Sequence, residues 1–89
     1  MVRSFKQWFE EEYTSGQEFA LTANAGSAYL DLETPTQLAR VTLWEDGSCV
    51  MEAMSIQEGQ YLYWQDFQFG DWPAARIAIT AFVRNLGLM

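Results

Sequence analysis

The sequence predicts an α+β fold of two layers: an antiparallel sheet of four to five strands, in a meander, flanked by N- and C-terminal helices. Three observations predict it. Apolar residues recur at helical spacing at both ends of the chain, they alternate with polar ones through the middle, and the alternating runs are joined by short turn sequences. The expected order is α-β-β-β-β-β-α, in one domain spanning residues 1–89.

Val2, Phe5, Trp8, Phe9 and Tyr13 share one helical face, so residues 2–13 read as an amphipathic helix ended by Thr14-Ser15-Gly16. Glu10, Glu11 and Glu12 oppose the helix dipole there and read as a solvated end. Phe19, Leu21 and Ala23, then Ala28, Leu30 and Leu32, alternate on either side of Asn24-Ala25-Gly26-Ser27, which predicts a hairpin. Its outward residues include Tyr29, Asp31 and Glu33. Thr34-Pro35-Thr36 interrupts the chain before the central strands, because proline cannot donate to a ladder.

Between Leu38 and Phe69 the turns Asp46-Gly47 and Glu58-Gly59 join three strands. Read as two-residue turns, they pair Leu43 with Val50, Trp44 with Cys49, Ile56 with Tyr61 and Ala53 with Trp64. This register sends Ala39, Val41, Leu43, Val50, Met54, Ile56, Tyr61, Tyr63, Phe67 and Phe69 to a core face. The other face collects Arg40, Thr42, Trp44, Cys49, Met51, Ala53, Ser55, Leu62, Trp64, Asp66 and Gln68. Glu52 and Gln65 are misfits, since the same register pairs them on the core face. They point to the sheet's margin or to a bulge. Asp71-Trp72-Pro73 opens the last helix, Ala75, Ala78, Ile79, Phe82, Val83 and Leu86 form its stripe, and Gly87 stops it.

Composition narrows the function. The net charge is −7, and residues 17–71 carry nine acids against the single base Arg40. Such a field repels nucleic acid and anionic membranes and speeds encounter with a basic protein surface. No apolar run approaches the roughly 18–20 residues of a membrane span. The N-terminus has no apolar block of a signal peptide, and one cysteine excludes an internal disulfide, so a cytoplasmic location is expected.

The chain has no histidine, which removes the commonest general base and metal ligand. One cysteine builds no zinc site, and no phosphate-binding loop is present. Asp31 and Glu33, two residues apart on one strand, read as solvated acids. Cys49, with no neighbouring base, reads as a small packed side chain. The expectation is a protein that is no enzyme and takes neither cofactor nor metal.

What remains is protein recognition. A sheet face with Trp44, Trp64, Tyr29 and Met51 among the acids Asp31, Glu33 and Asp66 is too polar for a core and too aromatic for a plain solvated surface. These seven residues are the expected partner-binding set. Trp8 and Trp72 are expected in the core and at a helix cap.

The N-terminal Phe5-x-x-Trp8 helix, the strand ending in Trp44-Glu45-x-Gly47, the following strand pair and the C-terminal Ala81-Phe82-Val83 resemble the TriTu family. That family comprises small immunity proteins of bacterial polymorphic toxin systems. The resemblance implies neutralisation of a co-encoded Rhs-type ADP-ribosyltransferase toxin, one that modifies elongation factor Tu, by obstruction of its NAD-binding catalytic cleft. On this reading the protein is expected to be a monomer that forms a 1:1 complex with the toxin. A homo-oligomeric structural or adaptor subunit using the same face is the alternative, and a small-molecule binding domain would need a closed cavity between helices and sheet.

Overall fold

The computed structural model describes residues 1–12 and 19–86. The expected place of Tyr13 in the first helix, its end at Thr14-Ser15-Gly16 and the stop at Gly87 lie outside them. The elements are α1 (Val2–Glu12), β1 (Phe19–Asn24), β2 (Ser27–Glu33), β3 (Gln37–Trp44), β4 (Ser48–Ser55), β5 (Tyr61–Gln68) and α2 (Trp72–Asn85). The five strands form one antiparallel sheet in sequence order, β1-β2-β3-β4-β5.

Strand alternation places Ala28, Leu30 and Leu32 of β2, Ala39, Val41 and Leu43 of β3, and Cys49, Met51 and Ala53 of β4 on one face. All are buried, in one cluster with Val2, Phe5 and Trp8 of α1 and Ala75, Ile79, Phe82 and Val83 of α2. Both helices therefore cover the same face, which makes two layers. Phe5, Trp8 and Trp72 lock the two helices together, with ring centroids 6.0–6.3 Å apart. The α2 start has the expected form: Asp71 is extended, its Oδ1 accepts the Ala74 N–H at 3.0 Å, and Pro73 occupies the first turn.

The central register differs from the expected one by a single residue. Leu43 pairs with Cys49 and Thr42 with Val50. The reversal uses three residues, Glu45, Asp46 and Gly47, with the Gly47 N–H donating to the Trp44 carbonyl at 3.0 Å. Only Gly47 has positive φ (89°), whereas a two-residue type I′ turn needs it at Asp46 as well. Asp46 instead uses its carboxylate to accept the Ser48 N–H at 2.9 Å.

Slipping a strand by one residue exchanges its faces. Cys49, Met51 and Ala53 turn inward, and Val50, Glu52 and Met54 turn outward. Glu52 is thus not a core residue, and the misfit it posed disappears. The second hairpin is longer than expected too. Ser55 N–H donates to the Gln60 carbonyl at 2.8 Å and closes a four-residue loop, Ile56-Gln57-Glu58-Gly59, so Ile56 sits exposed in the turn. A bulge follows: Met54 pairs with Tyr61 but Ala53 with Tyr63, which leaves Leu62 as the extra residue. Glu52 pairs with Trp64 and Met51 with Gln65.

Candidate functional site

The sheet face opposite the helices is uncovered. The register arranges it in cross-strand rows: Tyr29–Thr42–Val50–Asp66, Asp31–Arg40–Glu52–Trp64, and Glu33–Leu38–Met54–Tyr61. Trp44 lies at the end of β3, the central strand, paired with Ser27. Trp44 is 38% exposed and Trp64 55%, a large apolar surface to leave in water.

Of the seven expected site residues, six lie on this face and one does not. Met51 is 1% exposed and belongs to the core, because the three-residue β3–β4 turn reverses the sides of β4. The two tryptophans are not neighbours. Two strand spacings across the sheet and four residues along it separate them, about 16 Å at ordinary sheet dimensions. Val50 lies midway between them, and Glu52 and Asp66 flank Trp64.

Tyr29 and Asp31 are brought together by Arg40, which sequence reasoning placed on this face without a role. Its Nε donates to Asp31 Oδ1 at 2.6 Å and its Nη2 to Asp31 Oδ2 at 3.2 Å. Its guanidinium carbon stands 4.3 Å from the Tyr29 ring centre. The Asp31 hydrogen bond holds the guanidinium pKa above its ordinary value, against the opposing effect of burial. Both side chains are nearly half exposed, so the pair contributes only about 0–1 kcal/mol to stability. Its effect is on the field: the one base of the face is engaged with Asp31. Glu33, Glu52 and Asp66 form no ion pair among the described residues and leave the face acidic. Glu52 joins the candidate set, and the signal for it was its poor fit to a core.

Among the described residues no group of three acidic or cysteine side chains is placed to hold a metal ion, and no helix is long and apolar enough to cross a membrane. Burial pushes the Cys49 thiol up to about 12, so the sulfur stays protonated in the core.

Comparison with known proteins gives one match of family rank. The family model described as Immunity protein TriTu matches residues 3–85, nearly the whole chain and every element of the fold. No curated protein matches it.

Proposed function

The chain belongs to the TriTu family of immunity proteins, and from that premise we propose that it binds and neutralises a cognate antibacterial toxin through the uncovered face of its sheet. The toxin is an Rhs-type ADP-ribosyltransferase, and binding obstructs its catalytic cleft. The protein acts in the cytoplasm, as a monomer that takes up one toxin. The observation that carries this reading is the exposure of Trp44 and Trp64 on an acidic surface that both helices leave free.

The chemistry agrees. A cleft that receives NAD holds an anionic dinucleotide and so presents positive potential. An acidic face is attracted to that potential and competes for the same space. Tryptophan supplies large rigid contact area at low entropic cost, which makes Trp44 and Trp64 the natural anchors. Tyr29, held by Arg40, adds an ordered aromatic beside Asp31, while Glu33, Glu52 and Asp66 steer the encounter.

Co-expression with the toxin domain tests the reading. Trp44→Ala and Trp64→Ala each remove an anchor without touching the core, and each is expected to cost about 2–4 kcal/mol of binding. Protection of the host cell should fall accordingly. Variants that stay folded and still protect fully would remove this face from the mechanism.

A further inference from the structure

We propose that the free edge of β5 is a strand-addition site, occupied by an extended basic segment of the toxin. This rests on the toxin-binding reading above and specifies how the toxin is held.

The first argument is the phase of the ladder. β5 is the last strand of the sheet, and of its eight residues only Phe67 is not exposed. Phe69 N–H donates to the Gly47 carbonyl at 2.9 Å. In an antiparallel pair the bonded positions alternate, so Phe67, Gln65 and Tyr63 bond to Cys49, Met51 and Ala53. Trp64, Asp66 and Gln68 consequently direct their backbone N–H and C=O groups away from the sheet. Among the described residues they form a row of unpaired groups that begins at an anchor residue of the recognition face.

The second argument is the lack of protection. Proteins usually guard such edges with lysine, proline, or inward charges. Tyr61–Gln68 contains none of these, and its bulge at Leu62 lies at one end, leaving Tyr63–Gln68 regular.

The third is a cleft beside the edge. The bulge sets Leu62 next to Tyr63 along an opening of about 420 Å³ between the sheet and α2, lined also by Met51, Phe67, Ala78 and Phe82. Tyr63 stands 5.6 Å from Phe82, ring centre to ring centre. Side chains of an added strand would alternate between the Trp64–Asp66 surface and the mouth of this cleft.

Charge selects the occupant. On the outer side the added residues meet Asp66, with Glu52 one strand further in, and Arg40 on that face is engaged with Asp31. A segment that alternates Lys or Arg with apolar residues complements both sides. A second copy of this chain does not, since antiparallel pairing of two β5 edges gathers acids from two chains of net charge −7.

The test compares Asp66→Pro with Asp66→Ala. Both lose the carboxylate, but only proline loses the outward N–H, and the bonds to β4 are untouched. Titration calorimetry against the co-encoded toxin domain should show Asp66→Pro binding at least tenfold more weakly than Asp66→Ala. Equal affinities would overturn strand addition. If Asp66→Pro fails to fold, hydrogen exchange of the unsubstituted protein decides: the Trp64, Asp66 and Gln68 amides should exchange quickly when free and slowly in the complex, and unchanged exchange would overturn the proposal. Self-association of the protein through β5 in light scattering would overturn it as well. Trp44→Ala, remote from the edge, separates the two readings. If it weakens binding while the Asp66 variants agree, face recognition stands and strand addition falls. If the unsubstituted protein does not bind the toxin domain, both fall.

Discussion

The Glu45 carboxylate, in the β3–β4 turn, accepts the backbone N–H of Val2 at 2.6 Å, and the same group receives the N-terminal ammonium at 3.2 Å. An acidic side chain 43 residues away in sequence thus caps the first turn of α1. An anion is favoured there, because the first turn of a helix has unsatisfied N–H groups. The Val2 N–H, followed by the ammonium, holds the Glu45 carboxyl below its ordinary value of 4.5.

A carboxyl depressed in the folded state stabilises the fold above its ordinary pKa and loses that contribution as pH falls through the lowered value. Acid should therefore loosen α1 below about pH 4.5. Denaturation midpoints at pH 6 and pH 3 should converge between the parent and Glu45→Gln as the pH is lowered. A difference that stays constant with pH would show that the carboxylate charge plays no part in the cap.

Gly47 holds the register. Its backbone is left-handed, and a Cβ would overlap the Phe69 carbonyl oxygen. Gly47→Ala should cost at least about 1–2 kcal/mol from the backbone alone, with more from the displaced Phe69 strand end. Urea denaturation measures it, and an alanine variant of parental stability would contradict the turn geometry.

Cys49, buried and shifted to about 12, should not react with thiol reagents at pH 8 in the native protein. Unfolding in guanidinium should release the thiol for stoichiometric reaction. Rapid labelling of native protein would place Cys49 on the outer face, where the two-residue turn would have put it.

Arg40→Ala should leave stability within about 1 kcal/mol, as expected for an exposed pair. It also frees Asp31 and deepens the acidic field, so association with a basic toxin should quicken and depend more steeply on salt. Stopped-flow association at two ionic strengths reads this directly. A slower association would show that Arg40 itself contacts the toxin.

The element order, the two-layer architecture, the α2 cap and the exposed tryptophans were legible in the sequence, because each follows from local periodicity or a local turn residue. The faces of β4 were not. Asp-Gly fits both a two-residue turn and the end of a three-residue one, and the difference reverses every side chain from Cys49 to Met54. Met51 was misplaced for that reason alone, and the poor fit of Glu52 to a core was the available warning. The Glu45 cap had no local signature, since its partner is at the far end of the chain. Arg40 on Tyr29 and Asp31 needed the β2–β3 register, which the loop around Pro35 did not specify. The β5 bulge, and with it the cleft under α2, leaves no mark on the alternation of Tyr61–Gln68 and is equally invisible to periodicity.

Oxidative footprinting of the four tryptophans, free and toxin-bound, tests the recognition face most directly. Trp44 and Trp64 should label readily in the free protein and be shielded in the complex, while buried Trp8 and half-buried Trp72 should not change between the two states. Shielding confined to the helical side, with Trp44 and Trp64 still labelled in the complex, would contradict it.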